Sequence, residues 1–284
     1  MAIDYDVLMA ASVSDEPCCY KDGDVMLYAL AIGFGQGPEA SREIDYVFEG
    51  RALRTVPTMA GNLLDTGFLA DSGWDPNLAV HTEQRLQLYR PLPTDADLRA
   101  DRRVVAAFDR GKNEGVTVLI ESEVRMAKDD TVLFTLSNAL TAPDHDGTGG
   151  PDGSMPLPHR MPSREPDLVC GLPVRTDQNL LFRLTGDRNA RYVNEKEARR
   201  QGYSRTPVHE QCAAGLACRA ILKTICEYDF TLIGGFDCTF PSPLYPGETL
   251  ATEMWQDRNI VSFRCIAKSR DTVVIDGGKC TLAA

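Results

Sequence analysis

Histidine is scarce in this chain: four occur in 284 residues, at positions 81, 145, 159 and 209. They fall in separate stretches, which argues against a multi-histidine metal centre. The nine cysteines include no C-x-x-C and no Cys/His cluster at ligand spacing, so they read as reduced thiols that mostly fill a core, and no metal is expected. Long apolar runs are missing as well. No stretch approaches the roughly 18 residues that a membrane span needs, and the N-terminal MAIDYDVLMA lacks the basic-then-apolar order of a secretion signal. A cytoplasmic protein is therefore expected. Positive charge is in deficit, with 30 Lys plus Arg against 41 Asp plus Glu and a formal net charge of -11. Nucleic acid and anionic membranes are disfavoured as partners. Nor is there a G-x-S-x-G, a P-loop or an H-E-x-x-H.

What the chain does have is a folded composition, 43% hydrophobic and 25% charged. At roughly 150 residues per domain, its length fits two domains, or one built from two similar halves. A Pro/Gly/Asp-rich stretch from Thr141 to Pro166 reads as a linker, leaving a first unit over 1–140 and a second over 167–284. Alternation predicts strands at Leu78–Tyr89, Asp101–Phe108, Val116–Met126 and Thr131–Leu140 before the linker. It predicts more at Thr249–Trp255, Ile260–Ala267 and Thr272–Leu282 after it. PLPTDADL (Pro91–Leu98) and PLYPGETL (Pro243–Leu250) stand in corresponding places, a weak repeat of about 150 residues that suggests duplication of one α+β unit.

From His209 to Cys226 apolar residues recur at helical spacing with few polar interruptions, which predicts a helix buried on most sides. Such a helix wrapped by a strand meander is the form of a hotdog domain. Asn194 and Glu197 have the spacing of a capping box ahead of a short helix that Gly202 would stop. Gly33-Phe34-Gly35-Gln36-Gly37 follows a helical pattern rather than a strand and reads as a helix terminator. His209 and Cys212, three apart on the buried helix, are better explained by packing than by reactivity. The stretch from Phe182 to Gly215 reads as a strand, a tight Gly186-Asp187-Arg188-Asn189 turn, a short capped helix and then the buried one. Between Arg183 and Arg205 seven cations face three anions, +4 in a chain of -11. That local sign would suit a phosphate-bearing ligand.

This stretch resembles the signature of hydratase 2, the (R)-specific enoyl-CoA hydratases of the MaoC-like family, whose motif runs roughly Y-R-L-S-G-D-x-N-P-x-H-x-D-P-x-x-A with a later P-x-x-H-G helix start. Arg183-Leu184-Thr185-Gly186-Asp187-Arg188-Asn189 matches, as do Ala198, Pro207 and His209. Tyr46-Val47-Phe48-Glu49, Arg90-Pro91-Leu92-Pro93 and Tyr245-Pro246-Gly247-Glu248 match elsewhere in the same order. The resemblance implies an α+β double hotdog: a degenerate N-terminal half that takes the acyl chain and a C-terminal half that bears the site. It implies an acyl thioester of CoA or of an acyl carrier as substrate, with no cofactor beyond the CoA of the substrate itself. A homodimer, or a complex with an active hotdog chain, is implied as the assembly.

The same resemblance assigns the catalytic pair to Asp187 and to position 192, where this chain has Tyr192 instead of His. Asn189 is kept, Ala190 replaces Pro and Asn194 replaces Asp. Glu210 stands where a Gly would present its N–H as an oxyanion hole, next to His209. Arg183, Arg188, Arg191 and Arg205 are candidates for CoA phosphates on charge alone. Hydration of a 2-enoyl thioester needs a base for water, a proton for Cα and donors for the developing enolate. Tyr, with a reference pKa near 10 against about 6.5 for His, cannot replace it as the base at neutral pH. Three readings follow: a hydratase or dehydratase run mainly by Asp187, another acyl-thioester reaction using Tyr192 and Glu210, or a non-catalytic acyl-CoA-binding partner subunit.

Overall fold

Among the described residues, ten strands form one continuous antiparallel sheet in the computed structural model. The structure describes residues 3–37, 40–50, 52–111, 115–142 and 150–283, apart from 152 and 154. In chain order the strands are β1 (Ser12–Tyr20), β2 (Val80–Leu88), β3 (Ala96–Asp109), β4 (Val116–Met126), β5 (Val132–Ala142), β6 (Leu168–Pro173), β7 (Ile233–Thr239), β8 (Thr249–Asp257), β9 (Ile260–Ala267) and β10 (Thr272–Leu282). The helices are α1 (Tyr5–Ala10), α2 (Asp22–Ala31), α3 (Ala40–Glu43), α4 (Gln178–Phe182), α5 (Glu195–Arg200) and α6 (Glu210–Thr224).

The sheet order is β1-β3-β4-β5-β2-β7-β10-β9-β8-β6. Read from either edge inward, each half follows one plan: its first strand outermost, then its third, fourth and fifth, with its second at the centre. The second strands, β2 and β7, pair antiparallel from Glu83 opposite Thr239 to Gln87 opposite Gly235, and this seam joins the halves. The repeat suggested by the two Pro-Leu segments is thus a repeat of topology.

Helix α6 carries the core of the second half. His209 caps it, its Nδ1 accepting the Gln211 N–H at 3.0 Å, and every residue from Gln211 to Leu222 is buried. Small residues let neighbours come close: a Cβ at Gly215 would fall 2.6 Å from Ile32 Cγ2. In the first half the helix is shorter. α2 has ten residues, Gly33 and Gly35 end it with φ of 88° and 77°, and the chain goes on through 3-10 turns at Pro57–Asn62 and Gly67–Ser72. One apolar cluster runs through both halves, from Tyr28, Phe34 and Phe134 to Leu216, Phe236 and Phe263. Among the described residues no helix is long and apolar enough to cross a membrane.

One expectation needs correction. Phe182 to Thr185 is not a strand but the end of α4 and a 3-10 turn. Tertiary bonds fix it there: Asn179 Nδ2 donates to the carbonyls of Tyr192 at 2.6 Å and Pro207 at 2.7 Å. Of the Thr141–Pro166 linker, residues 143–149, 152 and 154 lie outside the described residues. From 155 onward it is bonded to the sheet: Arg85 donates to the Pro156 carbonyl at 2.9 Å, His159 Nε2 meets Ser262 Oγ at 2.8 Å, and Trp255 Nε1 donates to the Arg164 carbonyl at 2.7 Å.

Candidate active site

The motif turn sits where the two halves meet. Asp187 Oδ1 accepts the Asn189 N–H at 2.7 Å, and Asn189 Oδ1 accepts the Arg191 N–H at 3.0 Å, the local bonds expected of an Asp/Asn-rich turn. Three side chains then fasten the turn across the seam. Asn62 donates to the Thr185 carbonyl at 2.8 Å, Asn189 Nδ2 to the Asn77 carbonyl at 3.1 Å, and Arg191 to the Ala79 carbonyl. With both ends of its amide engaged, Asn189 holds the turn in shape.

His209 and Asp187 are brought together, Nε2 to Oδ2 at 3.0 Å. Because His209 Nδ1 already accepts the Gln211 N–H, the neutral ring carries its proton on Nε2 and donates it to Asp187. The ring is held between Tyr192, with centroids 4.5 Å apart, and Phe182 at 5.1 Å. Burial pushes the Asp187 carboxyl up, but the hydrogen bond from His209, the Asn189 N–H and Arg191 more than reverse this and hold it below the ordinary carboxylate value. Asp187 is therefore an ionised acceptor at neutral pH, and 42% of its side chain remains exposed.

Tyr192 points elsewhere. Its hydroxyl donates to Glu210 Oε2 at 2.8 Å. Burial, and then the Glu210 carboxylate, raise the phenol well above its ordinary value against the pull of Arg191. It is a neutral donor, and it turns the Glu210 carboxylate toward itself. These groups line one cavity of about 770 Å³ between the halves, with polar Asp187, Tyr192, His209 and Glu210 at one side and Met59, Leu64 and Ile120 on the first-half wall.

Sequence reasoning missed a second polar group on this wall. His81, in β2, lies with Nδ1 2.9 Å from Gln211 Nε2 and Nε2 3.1 Å from Asn138 Oδ1. Burial pushes His81 down to about 4, so it is neutral. The only sequence cue was its place at the head of a strand. The basic stretch, by contrast, does not gather at the cavity. Arg199 pairs with Glu195, Arg200 with Glu197, and Arg205 lies 3.7 Å from Glu248 and over the Tyr245 ring. Arg183 is away from the cavity wall, Arg191 is 2% exposed, and Arg188 alone of the four candidates is an exposed cation on the wall. Helical pairing at i,i+3 and i,i+4 has used two of the seven cations, Arg199 and Arg200.

Comparison with known proteins places this geometry. The model of the MFE-2 hydratase 2 N-terminal domain matches residues 19–141, and that of the MaoC-like domain matches 159–277. A MaoC-like dehydratase from Phytophthora capsici superposes with a TM-score of 0.83 at 23% identity, covering 99% of each chain. A Mycobacterium tuberculosis protein described as having a double hotdog fold superposes at 0.60 with 13% identity, over 95% of this chain and 94% of that one. The architecture is a double hotdog. Enoyl-CoA hydratase ChsH3 of Mycobacterium tuberculosis is 31% identical over 289 residues, 98% of each chain. The chain belongs to the MaoC-like, hydratase 2 family of enoyl-CoA hydratases.

Proposed function

We propose that this chain adds water to 2-enoyl thioesters of CoA, or removes it from the 3-hydroxyacyl form, with Asp187 as the acid–base group and His209 as its partner. The observation that carries the reading is the bond from His209 Nε2 to Asp187 Oδ2 at 3.0 Å on the wall of the cavity between the halves. It supplies from another element what Tyr192 cannot. In the forward direction Asp187 accepts a proton from water as the water oxygen bonds to Cβ. The double-bond electrons move to the thioester oxygen as an enolate, and Asp187 returns the proton to Cα, so both new bonds form on one face. His209 keeps the carboxylate oriented through both transfers. The N–H of Glu210, at the positive end of α6, is assigned the enolate oxygen in this reading.

The test is hydration of crotonyl-CoA, read as loss of the enoyl absorbance. The wild type should turn over, and Asp187→Asn should fall by about 10²- to 10⁴-fold. A wild type that binds enoyl-CoA thioesters of several lengths yet hydrates none would instead support the partner-subunit reading. Assembly as a homodimer, supported by family resemblance, and location in the cytoplasm, which rests on the sequence reading alone and which relatives named as peroxisomal do not support, are carried as further proposals, to be checked by sedimentation and by fractionation.

A further inference from the structure

Asn138 stands on the first-half wall of the cavity, in β5, with Ile120 opposite it on β4 and Leu140 two residues along, both of which also line the cavity. Its Oδ1 lies 3.1 Å from His81 Nε2, and His81 Nδ1 lies 2.9 Å from Gln211 Nε2. An amide nitrogen can only donate, so the His81 ring accepts at Nδ1, carries its proton on Nε2 and gives it to Asn138. This fixes the Asn138 amide with its NH2 turned away from His81. Among the described residues Nδ2 has no hydrogen-bond partner, and unlike the enclosed nitrogens of Arg191 it keeps open surface, on a half-buried residue of the cavity wall. Along the chain of bonds from His209, Gln211 and His81 come before Asn138, which places this donor beyond the carbons that react at Asp187. A saturated acyl chain laid along the wall would cover the donor and leave it unpaired.

We propose that Asn138 Nδ2 donates to a ketone oxygen carried on the acyl chain beyond the enoyl group, so that the preferred substrates are oxygenated acyl thioesters rather than plain fatty ones. The proposal rests on the hydration reading above and names the substrate class for that site. A ketone fits better than a hydroxyl, whose own O–H would find the Asn138 acceptor already taken by His81. It also fits better than a carboxylate. The Glu210 charge reaches His81, Asp187 is ionised on the same cavity, and Arg102, a cation on this wall, is already held by Glu16 at 3.0 Å.

The probes are trans-2-decenoyl-CoA and its 6-oxo, 7-oxo, 8-oxo and 9-oxo analogues, which share chain length and reacting carbons. For the wild type, at least one ketone should exceed the parent in kcat/KM by about 10- to 10²-fold, the penalty for a donor left unpaired in a desolvated site. Asn138→Leu should bring that ratio to one or below. Asn138→Asp keeps an acceptor for His81 but loses the donor at neutral pH, and it should erase the preference as well, so a Leu variant that fails to fold does not close the test. A merely structural Asn138 would lower all the rates alike and leave the ratio where it was, and this would overturn the proposal. A wild type that hydrates the parent and every ketone with equal kcat/KM overturns it without any variant, and sinks this inference alone. Failure to hydrate crotonyl-CoA, the parent and all four ketones would sink the hydration reading, and this inference with it.

Discussion

Position 192 separates two accounts of the chemistry. If Asp187 and His209 do the work, Tyr192→Phe removes only the donor to Glu210 Oε2 and keeps the ring that packs on His209. Hydration should then fall by no more than about 10-fold, with stability reduced by about 1–3 kcal/mol because the carboxylate loses a buried partner. A loss beyond about 10²-fold would move the acid role to the Tyr192–Glu210 pair and favour a different acyl-thioester reaction. His81 gives a second residue-scale test. Burial holds it near 4 in the folded state, from an ordinary 6.5. The unfolded chain binds this proton more readily, so stability is intact above about pH 6.5 and declines as pH falls toward 4, by roughly 3 kcal/mol in full. Urea titrations at pH 7 and pH 4.5 should show the decline, and His81→Asn should flatten it. An unchanged slope in the variant would assign the effect to other groups.

At the scale of elements, the second half's long helix is tied to the first half by a buried charge pair. Arg219 on α6 donates from Nε to Glu43 Oε1 at 2.9 Å and from Nη2 to Oε2 at 3.0 Å. Glu43 on α3 is fully buried and also accepts the Gly35 N–H at 2.8 Å. One carboxylate therefore fixes the end of α2, the short α3 and the middle of α6 together. Removing its partner leaves an uncompensated buried charge, so Arg219→Met should destabilise by about 3–5 kcal/mol in chemical denaturation. A cost below about 1 kcal/mol would mean that Glu43 can reach water or take up a proton without strain. The same contact explains why Gly33 suits its place beyond its turn geometry, since a Cβ there would lie 2.9 Å from Arg219 Nη1.

For the whole molecule, two halves of one topology do not make two independent units. They share the β2–β7 seam, one apolar cluster and the Glu43–Arg219 pair, and the motif turn is bonded across the seam through Asn62, Asn77 and Ala79. Calorimetry should therefore show one unfolding transition, with matching calorimetric and van't Hoff enthalpies. Two resolved transitions would contradict the shared core.

Periodicity in the sequence was enough to determine the seven strands of the two meanders and the buried helix from His209, because those segments repeat their apolar pattern at a strand or helix period. β1, β6 and β7 escaped it. β1 carries a proline and a register shift between Val13 and Glu16, and β7 has Gly234 and Gly235 in place of alternating side chains. The motif named Asp187, Asn189, Tyr192, His209 and Glu210, but residue types at fixed spacing do not say which side chain faces which. The partner of Asp187 was decided by the cap of α6, which uses His209 Nδ1 and turns Nε2 toward the carboxylate. His81 and Asn138 became part of the site only when the seam closed, since they lie on first-half strands of the cavity wall opposite the motif turn. Whether a charge serves a ligand or a neighbour was decided there too. Helical pairing neutralised the arginines of α5, while burial closed Arg191 off from any ligand.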